Sequence, residues 1–278
     1  MKQGIIVYTE QDAKKNEWFI NRIIELGMEY GLFIKLVMSE EVPECECDFA
    51  IMRDRNYDNS KRLEDKGVRI FNSALVTKVC NDKWETYNYF KDKNIPMMYT
   101  QKFSLPYPFV MKPRDGHGGQ FVYLIENKDQ YNAALEEIKN AYFDSNVQSD
   151  NLIKAVNDRF IFQFKATETG KDLRVYVLGD MILTSMLRES ETDFRANFSV
   201  GGHAKEVALS DDEMKIVSKV THEMQSDFIG IDIIYNNGAP VLNEIEDVVG
   251  TRMLYKYTDI DACKEYVKYI SDCLNSND

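Results

Sequence analysis

The stretch Gly230–Gly250, reading GIDIIYNNGAPVLNEIEDVVG, constrains the fold of this chain more than any other segment. Two runs of β-type residues, Ile231–Tyr235 and Pro240–Ile245, flank an Asn-Asn-Gly turn, which is a short-range hairpin signal. A three-residue loop of Asn237, Gly238 and Ala239 sets Asp232 opposite Glu244. Glu246 then follows on the same face, because side chains alternate along a strand with a period of two. Like charges directly opposite each other destabilise a sheet, so three carboxylates gathered there want a counter-charge. Two readings stay open from the residues alone. Oxygen-only ligands of this kind suit Mg2+, which usually arrives with substrate phosphates; the plainer reading has the acids facing water.

Composition matters chiefly for what it excludes. The net charge of −12 argues against nucleic acid or an anionic membrane as the main partner, so lysines and arginines count where they cluster. No stretch is long and apolar enough for a membrane span, and Gly4–Tyr8 is too short for a signal-peptide core. Five cysteines, an odd number in 278 residues, read as reduced thiols in a cytoplasmic setting. Cys45 and Cys47 sit among acids that should raise their pKa values, and no histidine near them in sequence completes a zinc set.

Strands at Gly4–Tyr8, Leu32–Met38 and Phe49–Met52, with a helix at Ala13–Tyr30 carrying Trp18, Phe19, Ile23 and Leu26, indicate a small parallel α/β layer. Arg53 follows the third strand, where ligands of open α/β sheets tend to bind; a substrate-facing role and a solvated loop position both remain open. A helix over Asp82–Lys93 places Lys83 in its first turn, which is unfavourable with the helix dipole unless an anion is near. Between strands at Pro108–Lys112 and Phe121–Ile125 lies a loop with Gly116, His117, Gly118 and Gly119. It is either a plain glycine-rich hairpin or a backbone cradle for phosphate. After a helix at Lys128–Phe143, the segment Asp144–Asp158 reads as irregular. Phe160–Phe164, Leu173–Leu178 and Met181–Leu187 read as an antiparallel meander with turns at Thr169-Gly170-Lys171 and Gly179-Asp180. Ser210 to Glu213 is a helix capping box.

With these pieces in order, the chain resembles the ATP-grasp carboxylate–amine ligases, most closely the RimK-like branch. The segments FQFKATETGKDLRVYVLGD, DFRANFSVGG, GIDII and PVLNEIEDVVG follow that family's order and spacing. The resemblance implies an α/β (α+β) ATP-grasp fold. It divides into an N-terminal parallel α/β pre-ATP-grasp domain over residues 1–80, a lid subdomain over 81–158 and a C-terminal subdomain with the metal site over 159–278. It implies ATP with one or two Mg2+ ions, or Mn2+ in their place. Lys83 and Lys112 would hold phosphates under the loop Gly116, His117, Gly118 and Gly119. Gln163, Phe164 and Lys165 would form the adenine hinge, with Asp172 toward the ribose. Arg195 and Asn197 would lie near the phosphates. Arg174 and Arg188 would face the acyl phosphate and the substrates, with Arg195 counted beside them as catalytic. Asp232, Glu244 and Glu246 would bind metal. The implied partners are an amino acid and a carboxylate-bearing peptide or small molecule, with homo-oligomerisation left open. A catalytically silent nucleotide binder acting as sensor or assembly partner is the alternative of a different class.

The chain departs from the family pattern in four places. Gln163 replaces an acid at the hinge, and Glu246 replaces the usual Asn as the last metal ligand. Phe121 stands where a further glycine is common, and Val248-Val249-Gly250 replaces a Ser-Pro-Gly turn. That turn lies near the substrates, so substrate identity is what the changes bear on.

Overall fold

The computed structural model describes residues 1–143, 148–190, 193–195 and 203–276. Its first sheet is parallel, in the order β2-β1-β3-β4, from β1 (Lys2–Tyr8), β2 (Leu32–Met38), β3 (Phe49–Met52) and β4 (Arg69–Phe71). Strand alternation explains why both faces are covered. Ile6, Tyr8, Phe49 and Ile51 meet Phe19, Ile23 and Leu26 on one side, while Ile5, Val7, Ala50 and Met52 meet Leu63 on the other. The flanking helices are α1 (Glu10–Lys15), α2 (Glu17–Glu29) and α3 (Tyr57–Asp65). The single helix expected over Ala13–Tyr30 is thus two, because Asn16 ends α1 by donating its side-chain amide to Asp12 O at 2.8 Å and serves as N-cap of α2. Trp18 leaves the apolar stripe and is 59% exposed.

Helices α4 (Ala74–Cys80) and α5 (Lys83–Phe90) lead to a second sheet in the order β5-β8-β6-β7. Its strands are β5 (Thr100–Gln101), β6 (Phe109–Pro113), β7 (Tyr123–Ile125) and β8 (Phe160–Phe164), and α6 (Lys128–Tyr142) and α7 (Ser149–Arg159) accompany them. Phe109, Met111 and Phe162 face Ile138 and Val156 of these helices, which turns Val110, Lys112 and Gln163 to the opposite face. Two expectations are corrected here. Residues 149–159 are helical, with Leu152 and Val156 entering the core, a stripe too thin to stand out in a polar segment. Phe160–Phe164 pairs with β6 and β5, not with the strands that follow it.

The third sheet is antiparallel, in the order β11-β10-β9-β12-β13. It comprises β9 (Glu168–Leu178), β10 (Met181–Glu189), β11 (His203–Glu206), β12 (Phe228–Asn236) and β13 (Ala239–Glu246), with α8 (Asp211–Glu223) between β11 and β12 in sequence. Leu173, Val175, Val177, Ile231 and Ile233 face Ile216, Val217 and Val220 of α8. The other face of β9 runs Asp172, Arg174, Tyr176, Leu178, charged at one end and apolar at the other. At the apolar end Tyr176 and Leu178 join the core of the first layer, with α9 (Arg252–Tyr257) and α10 (Ala262–Asn275). The expected turn at Thr169-Gly170-Lys171 lies inside β9. Gly170 is needed for close approach, since a Cβ there would stand 2.6 Å from Ser190 O.

Among the described residues no helix is long and apolar enough to cross a membrane, and no disulfide joins the cysteines. Burial, with Cys45 and Asp48 nearby, pushes the Cys47 thiol up to about 11.

Candidate active site

The hairpin β12–β13 sets the register of the site. Its turn has two residues, Asn237 and Gly238, both with positive φ (53° and 77°), and Asn236 pairs with Ala239. That register alone would put Asp232 opposite Asn243. A bulge between Asp232 and Ile233 takes up one residue on β13 and restores Asp232 opposite Glu244. The expected pairing is therefore present, reached by a different route from the expected three-residue loop. The residue left over by the bulge, Asn243, accepts a hydrogen bond from Lys112 Nζ at 3.2 Å.

Four strands then lay a row of alternating charge across one sheet face. Arg188 on β10 pairs with Asp172 on β9, donating from Nε at 2.6 Å and from Nη2 at 2.7 Å. Arg174 on β9 lies opposite Asp232 on β12 and donates from Nη2 at 2.7 Å and also from Nε. Arg188 Nη2 is also 3.1 Å from Asp232, and Arg174 Nη2 is 2.9 Å from Glu246. Gly230 makes room for this, because a Cβ there would stand 2.7 Å from Val249 and 3.0 Å from Arg174 Cδ. Burial works against ionisation of Asp232, but the two guanidinium groups outweigh it and hold its carboxyl below the ordinary value.

Helix α5 and the second sheet with its glycine loop border the same site. Lys83, the first residue of α5, ion-pairs with Glu244 at 2.8 Å and donates to Gly116 O, so its counter-charge is a carboxylate of the hairpin. Burial pulls the Lys112 ammonium down to about 8, partly offset by Glu244. Burial also works against ionisation of Glu244, yet Lys83 and Lys112 keep its carboxyl below the ordinary value. His117 is drawn down to about 4, by burial first and then by Arg55 and Lys83, so its imidazole is neutral at pH 7. Arg195 donates from Nη1 to Gly119 O at 2.6 Å and pairs with Asp193, tying the glycine loop to the third sheet's side. Phe121, in the place of a glycine, adopts φ +53°, a backbone conformation that glycine takes freely.

One cavity of about 930 Å3, within the size of small-molecule sites, is bordered by these groups. From the phosphate expectation it takes Lys83, Lys112, Gly116, His117, Gly118, Gly119 and Arg195. From the hinge expectation it takes Gln163, Phe164, Lys165 and Asp172. Arg174, Arg188, Asp232, Glu244 and Glu246 complete it, while Asn197 lies outside the described residues. Gln163 is turned by its side-chain amide onto Thr100 Oγ1 at 3.1 Å, and Phe164 is 38% exposed beside Tyr99.

Sequence reasoning missed Asn243, whose signal is a bulge that no local pattern announces. It also missed Asp247, buried at the cavity wall, accepting from Asn81 Nδ2 at 2.9 Å and pushed up by burial to about 6. Arg53 is not solvated: it is 4% exposed and borders the cavity.

The three acids do not form one cluster; among the described residues no group of three or more His, Cys, Asp or Glu could hold a metal ion. Asp232 is taken up by two arginines, whereas the side chains of Glu244 and Glu246 keep 19% and 34% of their surface open. Two hard carboxylates completed by phosphate oxygens are a common Mg2+ set, so the donor chemistry fits that ion without Asp232 as a ligand.

Residues 87–270 match the family model of the RimK-like ATP-grasp domain. A probable alpha-L-glutamate ligase of Pasteurella multocida is 27% identical over 222 residues, which cover 76% of this chain and 66% of that protein. The chain thus spans about two thirds of that relative's length. The D-alanine–D-alanine ligase of Bacillus anthracis, solved with ATP, superposes with a TM-score of 0.73 at 14% identity, over 100% of this chain and 98% of that one. A RimK-domain ATP-grasp protein of Sphaerobacter thermophilus gives 0.70 at 14% identity, over 98% and 99%. The two superpositions bear on the fold, and the match over most of the chain decides kinship: this chain belongs to the RimK-like ATP-grasp family, a family of ATP-dependent ligases.

Proposed function

We propose that the chain joins an amino acid such as glutamate to a carboxylate on a peptide, a protein tail or a small metabolite. The amide would form through an acyl phosphate, with release of ADP and phosphate. The observation that carries this reading is the convergence of Lys83, Lys112 and Arg195 with Glu244 and Glu246 on one cavity beside a glycine loop. Such chemistry needs positioning and cationic neutralisation more than covalent help, and lysine, arginine and acid side chains are what the cavity offers.

In this reading Lys83 and Lys112 hold the triphosphate of ATP, and its purine lies along Gln163, Phe164 and Lys165. Mg2+, bound by Glu244 and Glu246 together with phosphate oxygens, would neutralise charge on the transferring phosphoryl group. Asp232 keeps Arg174 and Arg188 in place by balancing their charge, so that their remaining donors can meet the oxyanion formed when the amine attacks. The Gly116–Gly119 segment, tethered by Arg195, excludes water and so protects the acyl phosphate from hydrolysis. The cysteines, without a disulfide among the described residues, fit a reducing cytoplasm.

The test is a coupled ADP-release assay over amino acids paired with peptide and metabolite carboxylates, followed by product mass. ADP release that needs Mg2+, an acid and an amine together is the expected result. AMP and pyrophosphate, or nucleotide binding without turnover across the panel, would overturn the reading.

A further inference from the structure

A carboxylate at the position of Gln163 would only accept hydrogen bonds, whereas a glutamine amide accepts through Oε1 and donates through Nε2. Turned one way, the amide suits a base that presents an amino group; turned the other way, it suits a base that presents a carbonyl. Its neighbours decide the direction. Thr100 on β5 lies opposite Gln163 on β8, so the two side chains share a sheet face. Thr100 Oγ1 stands 3.0 Å from Met98 O, a carbonyl that can only accept, so the one hydroxyl proton is committed there. What Thr100 offers Gln163 at 3.1 Å is a lone pair, and the amide meets it with Nε2.

Burial makes the direction matter. Thr100 is 2% exposed and Gln163 6%, so a reversed amide would set carbonyl oxygen against hydroxyl oxygen with little water to intervene. With Nε2 turned to Thr100, Oε1 is left on the other side of the amide, where it accepts from no donor among the described residues. Gln163 borders the cavity, and Thr100 does not. The acceptor is thus presented to a ligand, while the residue that sets its polarity stays underneath. Val110, the cross-strand neighbour of Gln163 on β6, borders the cavity beside it. That apolar surface suits a flat base better than a sugar or a phosphate.

We infer that Thr100 is a specificity-determining positioning residue: by fixing the Gln163 amide it turns an acceptor toward the nucleobase, so that the site takes a purine with an exocyclic amino group and rejects one with a carbonyl there. This rests on the purine placement of the ligase reading above and assigns what selects the base within it. Thr100 touches neither nucleotide nor substrate and takes no part in bond making.

Calorimetry on the full chain with Mg2+ tests it, using ADP, IDP and purine riboside diphosphate, which differ in the base alone. IDP sets a carbonyl against Oε1 and should bind wild type about ten- to a hundredfold more weakly than ADP. Purine riboside diphosphate, which carries no group at that position, should fall between. Thr100→Val removes the hydroxyl, and nothing then favours either direction of the amide. Its ADP-over-IDP ratio should drop about tenfold from that of wild type. Thr100→Ser keeps the hydroxyl and should keep the ratio, and Gln163→Leu should level ADP with purine riboside diphosphate. A Thr100→Val ratio equal to that of wild type overturns the assignment, as does a wild type that binds ADP and IDP alike. A merely structural role would weaken all three nucleotides alike and leave the ratio in place, which overturns it too. Should Thr100→Val fail to fold, Thr100→Ala carries the same expectation. No binding of any nucleotide sinks the ligase proposal, whereas binding without a response of the ratio sinks only the role of Thr100.

Discussion

The wall formed by the third sheet and the wall formed by the parallel sheet handle charge in opposite ways. On the first, Asp172, Arg188, Asp232, Arg174 and Glu246 form a continuous chain of ion pairs, with Lys83 clasping Glu244 beside it. On the second, Arg53 sits among Tyr8, Phe19 and a backbone carbonyl, with no carboxylate in ion-pair contact among the described residues and the buried Asp247 acting on it from farther off. Side chains paired in this way are held before any ligand arrives, because the loss of a partner would be costly.

The contrast can be tested by measurement. The largest effect is expected from Glu244→Gln, which should lower ADP release by about four orders of magnitude, about 5.5 kcal/mol in the barrier, with the fold retained. Near-normal turnover would remove Glu244 from the transfer chemistry. Arg174→Met leaves Asp232 and Glu246 short of a cation and should cost about 3–5 kcal/mol in urea unfolding, part of which Asp232→Leu should return in the double variant. Should the single change prove neutral, the chain of pairs is ornament. Lys112→Ala should weaken Mg-ATP binding ten- to a hundredfold, about 1.4–2.7 kcal/mol by calorimetry, and equal affinities would separate Lys112 from the phosphates.

Smaller effects test how the N-terminal layer is held. Asp261 caps α10, accepts from Tyr255 Oη at 2.7 Å and pairs with Arg22 of α2 at 3.1 Å. Asp261→Ala should cost about 1 kcal/mol. Burial opposes ionisation of Asp261, but Tyr255, the Lys264 N–H and Arg22 outweigh it and set its carboxyl below the ordinary value. Its contribution is therefore complete above the unfolded carboxylate range and lost as pH falls through the lower folded value. The stability gap between wild type and variant should close in acid; a gap that widens there would refute the ion pair. The smallest effect belongs to Trp18→Ala, within about 0.5 kcal/mol of wild type, because the ring is largely exposed and meets Tyr255 edge-on. A larger loss would make Trp18 part of the layer's core.

Legibility in the sequence followed the range of the interaction. Strands and helices with a strong period, such as the parallel layer and α8 with its Ser210–Glu213 cap, could be read because side chains a few residues apart decide them. The helix over residues 149–159 escaped because its buried stripe is only Leu152 and Val156 deep. Phe160–Phe164 was legible as a strand but not as a member of the second sheet, since partner choice depends on residues some fifty positions upstream. For the site, the motif residues could be listed, and the cavity gathers all of them that are described. What they do to one another could not be listed: that Asp232 serves two arginines, or that Lys83 in the first turn of α5 finds its anion in Glu244.

The β12–β13 hairpin and its acids on one face were legible without the fold, because turn residues and period-two alternation act between near neighbours. Which charges meet is a matter of the assembled fold. The pocket that buries Arg53 and the row of pairs from Asp172 to Glu246 depend on segments brought together from far apart in the chain. The energy of a charge is set by what surrounds it, and in this chain those surroundings are assembled from distant segments.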